Sequence, residues 1–307
     1  MVVTRQSFPL LDSAHLALML SALLLSYALP FELVLLSYAI LGPAHYLTEI
    51  SWLHERSYFL PHRLLAVALL IATILIVLLR RNYGINSFLL GLSLSLCVAL
   101  AFSTNWQSRA VIAGLGLFLS LILASYGPAA YVVTVLVPSL VHVSLFTFIF
   151  MLVGYLNSRD RFQMALAIFY VLSIALILVY PPVANASGEF TKLAPRYFGG
   201  VSEALAELIG AENIPLDSRL AGFLSFAYTY HYLNWFIKVR LINWHKVPTM
   251  RLATIALLSA AATGLYFFDY GLGISLLFSL SLLHVMLEFP LNAISFRQLI
   301  SGRAKAT

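Results

Sequence analysis

Residues 271–293 read GLGISLLFSLSLLHVMLEFPLNA. At 1.5 Å per residue this run is long enough, as a helix, to cross a hydrocarbon layer about 30 Å thick. Its single charged residue, Glu288, follows His284 by one helical turn, so an acid and an imidazole lie inside an otherwise apolar run. Ionisable groups are expensive inside a bilayer, which makes each of them a functional candidate. Breakers and charged clusters divide the rest of the chain in the same way. The expected spans are 13–29, 31–53, 62–79, 84–104, 109–126, 128–156, 162–180, 219–240, 251–268 and 271–293. The predicted fold is therefore all-α: a polytopic membrane bundle of about ten transmembrane helices, folded as one domain over residues 1–307.

Composition agrees with that reading. The 307 residues are 61% hydrophobic and only 10% charged, whereas soluble domains carry about 25% charged residues. No polar stretch is long enough for a large soluble catalytic or nucleic-acid-binding domain, so the membrane part must carry the function. The formal charge of +6 comes from basic residues scattered in ones and twos, a pattern that sets topology instead of binding a polyanion. Cys97 is the only cysteine, which excludes an intrachain disulfide and cysteine-based metal clusters. The apolar stretch up to Pro30 has no convincing small-residue cleavage site and reads as a retained first helix.

Pro30, Tyr126-Gly127-Pro128 and Asp269-Tyr270-Gly271 make three tight turns on one side. Counted by side, 13 of the 18 basic residues fall on the other, which predicts cytoplasmic N- and C-termini. Trp52, Trp106, Trp235 and Trp244 fall near the same, cytoplasmic ends, as interfacial indoles prefer. The connection at about 181–218 would be extracytoplasmic. Within it Val201, Leu205, Leu208 and Ile209 alternate with Glu203, Glu207 and Glu212 at helical spacing. That pattern fits a short interfacial helix and equally an ordinary packed loop.

Four histidines, His45, His142, His231 and His284, fall on the second, sixth, eighth and tenth spans, all expected to run outside to inside. Each is about 12–15 residues from its outer start, which places all four about 18–22 Å deep, in one layer. A lone membrane histidine is more often a hydrogen-bonded packing residue, but four at one depth on codirectional helices point to a metal or haem site. Glu49 and Glu288 each follow a histidine by four residues, on the same helix face. Each carboxylate could ligate the metal, fix the tautomer of a ligand from another helix, or snorkel to the interface to meet Arg56 or Arg297. His15, His54, His62 and His245 sit at span ends and read as interfacial. Tyr230, Tyr232, Asn234 and Thr48 lie near the layer, where they either orient ligands and substrate or bond helix to helix.

At these residues the chain resembles the Brp/Blh family of bacterial and archaeal membrane proteins. Gly42-Pro43-Ala44-His45 followed by Glu49 is similar to that family's early Gly-x-x-His-x-x-x-acid motif, with glutamate for the usual aspartate. Val141-His142 resembles its second isolated histidine, Tyr230-His231-Tyr232 its aromatic-flanked motif, and Leu283-His284-Val285-Met286 its last. Trp235 stands where the third motif has a second histidine, and Glu288 comes one residue earlier than the usual acid. The resemblance implies a non-haem Fe(2+) dioxygenase that cleaves a carotenoid to retinal. Its metal ligands would be His45, His142, His231 and His284, with Glu49, Glu288 and Tyr232 in catalytic roles. The partners implied are the lipid bilayer, dioxygen and a hydrophobic small molecule such as a carotenoid, with no nucleic acid. Aromatic residues including Phe146, Phe148, Phe150 and Phe226 could line its groove. Two other functions remain open on the residues: a bis-histidine haem protein for electron transfer or haem modification, and a His/Glu proton-coupled transporter.

Overall fold

The computed structural model of the protein describes residues 9–55, 63–79, 82–125, 134, 137–182, 217–237 and 247–301. The predicted surface helix near 201–212, the turn at 126–128, His62, His245 and Trp244 lie outside the described residues. Among the described residues every regular element is helical: α1 (Pro9–Ala28), α2 (Pro30–Leu36), α3 (Gly42–Glu55), α4 (Arg63–Leu78), α5 (Tyr83–Phe102), α6 (Trp106–Ser125), α7 (Thr147–Ser158), α8 (Arg161–Val179), α9 (Asp217–Ile237), α10 (Thr249–Phe268) and α11 (Tyr270–Ser301). One turn of π-helix, Ser37–Leu41, joins α2 to α3, and another, Val141–Phe146, leads into α7.

Each predicted span overlaps at least one of these helices, and span 31–53 overlaps two, α2 and α3. Among the described residues seven helical stretches are long and apolar enough to cross a membrane: Pro30–Glu55, Tyr83–Phe102, Trp106–Ser125, Val137–Ser158, Arg161–Val179, Thr249–Phe268 and Tyr270–Ser301. The first and fourth helices contain only shorter apolar segments, Ser13–Ala28 and Ala66–Ile76. α9, with 21 residues, is long enough, but its tyrosines, Asn234 and His231 dilute its apolar character. The last helix outruns its predicted end at 293 and continues to Ser301. Pro290 does not stop it, so this helix carries an internal proline without breaking.

Local chemistry sets the boundaries. Pro30 occupies the first turn of α2, where the missing N–H costs nothing. Asp269 separates α10 from α11, and its carboxylate accepts the Leu272 N–H at 3.0 Å, a capping contact for the new helix. Gly273 lets the two helices close, because a Cβ there would lie 2.2 Å from the Tyr266 Cα. In the α5–α6 hairpin the small residues face each other reciprocally. A Cβ on Gly91 would meet the Ser120 hydroxyl at 2.4 Å, and one on Gly116 would meet Ser95 at 2.0 Å. Such small-residue contacts bring membrane helices to van der Waals distance. At the α5 C-terminus the Arg297 guanidinium donates to the Ala101 and Phe102 carbonyls, so this cation serves a helix end and not Glu288.

Two helices organise the interior. α9 packs on α1, α2 and α8, while α11 packs on α10, α3, α4, α5 and α7. Between them the core divides into patches, one around Met19, Tyr170 and Phe226 and another around Leu53, Cys97 and Met286. Apolar side chains also face outward, among them Leu115, Phe118 and Leu121 of α6. A surface of this kind suits a protein solvated by lipid.

Candidate metal centre

The π-helical turns are placed where the site begins. Pro43 cannot donate the bond that the Ala39 carbonyl would otherwise receive four residues back. Thr263 of α10 donates its hydroxyl to that carbonyl instead, at 2.8 Å. The widened turn Ser37–Leu41 then delivers His45 on the first turns of α3. The second π-turn contains His142 itself. Single π-turns inside α-helices recur at functional sites because they rotate the following side chains out of the ordinary register.

All four predicted histidines converge. His45, His142, His231 and His284 are 0–7% exposed, and one ligand nitrogen from each lies within 4.8 Å of all the others. His45 Nε2 is 3.1 Å from His231 Nε2, and His284 Nε2 is 3.0 Å from His142 Nε2. α3 and α9 run the same way through the site. Trp52 follows His45 on α3 and contacts Trp235, which follows His231 on α9. Glu49 and Glu288, each one turn beyond its histidine, also come together with His284, their ligand atoms within 4.8 Å.

Two of the four outer ring nitrogens are held by hydrogen bonds. His284 Nδ1 donates to the Ser281 carbonyl at 2.6 Å; a carbonyl only accepts, so the proton sits on Nδ1 and Nε2 carries a bare lone pair. His231 Nδ1 bonds the Thr147 hydroxyl at 2.7 Å. His142 Nδ1 lies 2.9 Å from Glu288 Oε2 without the geometry of a hydrogen bond. His45 Nδ1 also has no hydrogen-bond partner, while its Nε2 is 3.1 Å from Glu49 Oε2. The Nε2 atoms of His142 and His284, 3.0 Å apart, share one proton in a hydrogen bond or hold a cation between them, according to the His142 tautomer. The donor set fits a metal ion because four ligand nitrogens converge within 4.8 Å of one another in the buried interior, and it fits on charge. Four neutral imidazoles and two carboxylates, with no lysine or arginine lining the site among the described residues, balance one divalent ion in a region that cannot hold net charge cheaply.

The remaining candidates take distinct places. Glu49 is 3% and Glu288 1% exposed, so neither snorkels, and Glu288 sits beside a ligand from another helix. Tyr232 packs its ring 4.9 Å from that of His45 and shares a 2.5 Å bond with the Tyr46 hydroxyl; Tyr46 in turn stacks on His284 at 4.6 Å. Thr48 accepts the Trp235 indole N–H at 2.9 Å. Tyr230, by contrast, packs with Tyr170 and Phe226 away from the histidines. His54 is exposed. His15, expected at the interface, is 5% exposed and buried, on a helix against which α9 and α8 pack. Sequence reasoning missed Thr147, Tyr46 and Ser281, whose roles come from other helices or from a backbone carbonyl. The prolines at 43 and 138, each shortly before a histidine, were the available signal for the π-turns.

A cavity of about 270 Å³ reaches the cluster from one side. It is lined by His45, Glu49, His231 and Glu288 together with Phe150, Val153, Leu291, Ile294, Ser295 and Gln298. Of the predicted groove aromatics Phe150 lines it, whereas Phe148 and Phe226 belong to the core patch around Met19.

Comparison with family models, with curated proteins and with solved structures finds no match to this chain. The functional argument rests on the site itself.

Proposed function

We propose that this protein is a membrane-embedded non-haem iron oxygenase acting on a hydrophobic lipid or isoprenoid. The observation that carries the reading is the convergence of four buried histidine nitrogens within 4.8 Å of one another, with the Glu49 and Glu288 carboxylates beside His284. Imidazoles with buried carboxylates beside them suit ferrous iron, and an apolar cavity beside that donor set suits a lipid substrate. Iron bound there would supply the activation of dioxygen.

The chain's own residues have separable tasks in this reading. Ser281 and Thr147 hold the rings of His284 and His231, and Glu288 beside His142 balances charge. Glu49, in contact with His45 Nε2, can hold a proton in the cavity wall. Phe150 and Leu291 exclude water and confine the apolar substrate. Tyr232 acts as a positioning residue, since its hydroxyl is committed to Tyr46. The haem alternative has less support, because imidazole nitrogens in mutual contact leave no flat slot for a porphyrin. Cleavage of a carotenoid to retinal is the special case implied by the family resemblance.

The proposed setting is a bacterial or archaeal inner membrane, crossed ten times with both termini cytoplasmic. Reporter fusions at both termini test that topology. Elemental analysis with an absorbance spectrum of freshly purified protein tests the chemistry. About one iron per chain without a Soret band is expected; a haem spectrum or a metal-free, folded protein overturns it. Expression in carotenoid-producing cells, scored by bleaching, tests the carotenoid case.

A further inference from the structure

We propose that Asn234 is a specificity-determining residue: its amide hydrogen-bonds one neutral oxygen function, a hydroxyl or a carbonyl, of an apolar molecule bound in the cavity beside the metal ligands. The inference names a substrate class for the oxygenase reading and rests on that reading for the chemistry, whereas the binding argument uses only the cavity wall.

Two polar side chains in that wall are buried without a partner. Asn234 is 7% and Ser295 5% exposed, both line the cavity, and among the described residues neither side chain makes a hydrogen bond. A membrane asparagine ordinarily bonds a neighbouring helix. Asn234 does not, although Trp235 next to it donates its indole N–H to Thr48 of α3. The two unpartnered groups are not equivalent. A helical serine can turn its hydroxyl onto the carbonyl four residues back, as Ser95, Ser120, Ser173 and Ser279 do at 2.6–2.8 Å, and the same bond is open to Ser295. An asparagine amide has two donor hydrogens and an acceptor oxygen, more than its own helix can satisfy. Left unmet, it bears the full cost of its desolvation. Its partner therefore comes from the cavity.

Position and charge define that partner. Asn234 follows His231 by three residues on α9, about 4.5 Å along the axis and on an adjoining face, and both line the cavity with His45 and Glu49. An oxygen function held by the amide thus lies beside the metal ligands. No lysine or arginine lines the cavity among the described residues, but Glu49 and Glu288 do. An anion finds no counter-charge there, and a cation would compete with the metal for the same carboxylates. A neutral hydroxyl or carbonyl suits the amide, while Phe150, Val153, Leu291 and Ile294 receive the hydrocarbon part of the molecule.

The test uses full-length protein in phosphatidylcholine nanodiscs, iron-loaded and chelator-treated, with iron assayed on every sample. The probes are radiolabelled geraniol, geranial and the matching hydrocarbon that carries a methyl group in place of the oxygen function; uptake by empty nanodiscs is subtracted. In both metal states geraniol or geranial should bind saturably and about 3- to 10-fold more tightly than the hydrocarbon, as one hydrogen bond implies. The tighter of the two names the function. Asn234→Leu should bring that ratio to about one and leave the affinity for the hydrocarbon within about twofold, which separates a hydrogen bond from a general loosening of the fold. Asn234→Ala should give the same ratio and serves where the leucine variant does not fold. A parental ratio of about one, a ratio unmoved by both Asn234 variants, or a ratio that collapses in Ser295→Ala instead overturns the proposal. Iron-loaded protein with a ratio of about one sinks this inference and leaves the oxygenase reading standing; an Asn234-dependent ratio in protein that takes up no iron does the reverse.

Discussion

Glu288→Gln separates a metal centre from a fortuitous cluster of polar side chains. The glutamate is 1% exposed, lies 2.9 Å from His142 Nδ1, and shares a site with the Glu49 carboxylate. The amide keeps the shape and removes the charge. With metal bound, the variant loses the carboxylate beside His142 and half of the compensating negative charge. Losing such an outer partner typically weakens metal affinity 10- to 100-fold, about 1.4–2.7 kcal/mol. At saturating metal the stabilisation conferred by the ion shrinks by the same amount. Without metal the sign reverses, because two buried carboxylates within 4.8 Å of each other repel, and the amide relieves that repulsion. The expected result is a crossed pattern: the metal-loaded variant unfolds more easily than the parent, and the metal-free variant less easily. Chelator competition in nanodiscs gives the affinity, and thermal unfolding with and without metal gives the stabilities. A variant that keeps parental affinity within twofold, or whose two stabilities shift in the same direction, would refute the reasoning.

Alanine at any of His45, His142, His231 or His284 is expected to remove bound metal while the protein still inserts and folds; full metal occupancy in all four variants, by elemental analysis, contradicts the site. Thr147→Val keeps the volume but leaves His231 Nδ1 without its hydroxyl partner, so metal affinity should fall about 10-fold or more, read by the same chelator competition. Thr263→Val strips the Ala39 carbonyl of its donor and should cost about 1–3 kcal/mol of stability, visible as easier denaturation. Gly116→Ala drives a Cβ into Ser95 and should destabilise the α5–α6 hairpin by about 1–3 kcal/mol without changing metal content, which a paired unfolding and metal assay checks.

Much of this molecule could be read along the chain. The apolar runs around residues 84–104, 162–180 and 251–268 are helices within a few residues of the expected ends, because a bilayer core demands uninterrupted backbone hydrogen bonding. Histidine depth was legible for the same reason: distance along a straight helix is proportional to residue count. Glu288 could be anticipated beside a ligand of another helix, since an acid inside so apolar a run has few other places to go. α11 continues past the expected end at 293 to Ser301, carrying Pro290 inside it.

What a linear reading could not supply was rotation. Depth says that His45 and His231 lie at one level; it does not say that their rings meet, since each could have turned toward lipid. The π-turns at Ser37–Leu41 and Val141–Phe146 set that rotation, and the first depends on Thr263, over two hundred residues away, to satisfy a carbonyl freed by Pro43. The partners that hold the ring protons, Thr147 and the Ser281 carbonyl, carry no signature of their own; any hydroxyl or helix carbonyl looks alike until a ring is placed against it. Composition and periodicity thus determined the membrane-type helices and the polar layer, because these follow from one-dimensional rules of burial. The convergence of the histidine rings and the cavity beside them were decided only by tertiary structure, because ring facing depends on contacts between helices far apart in the chain.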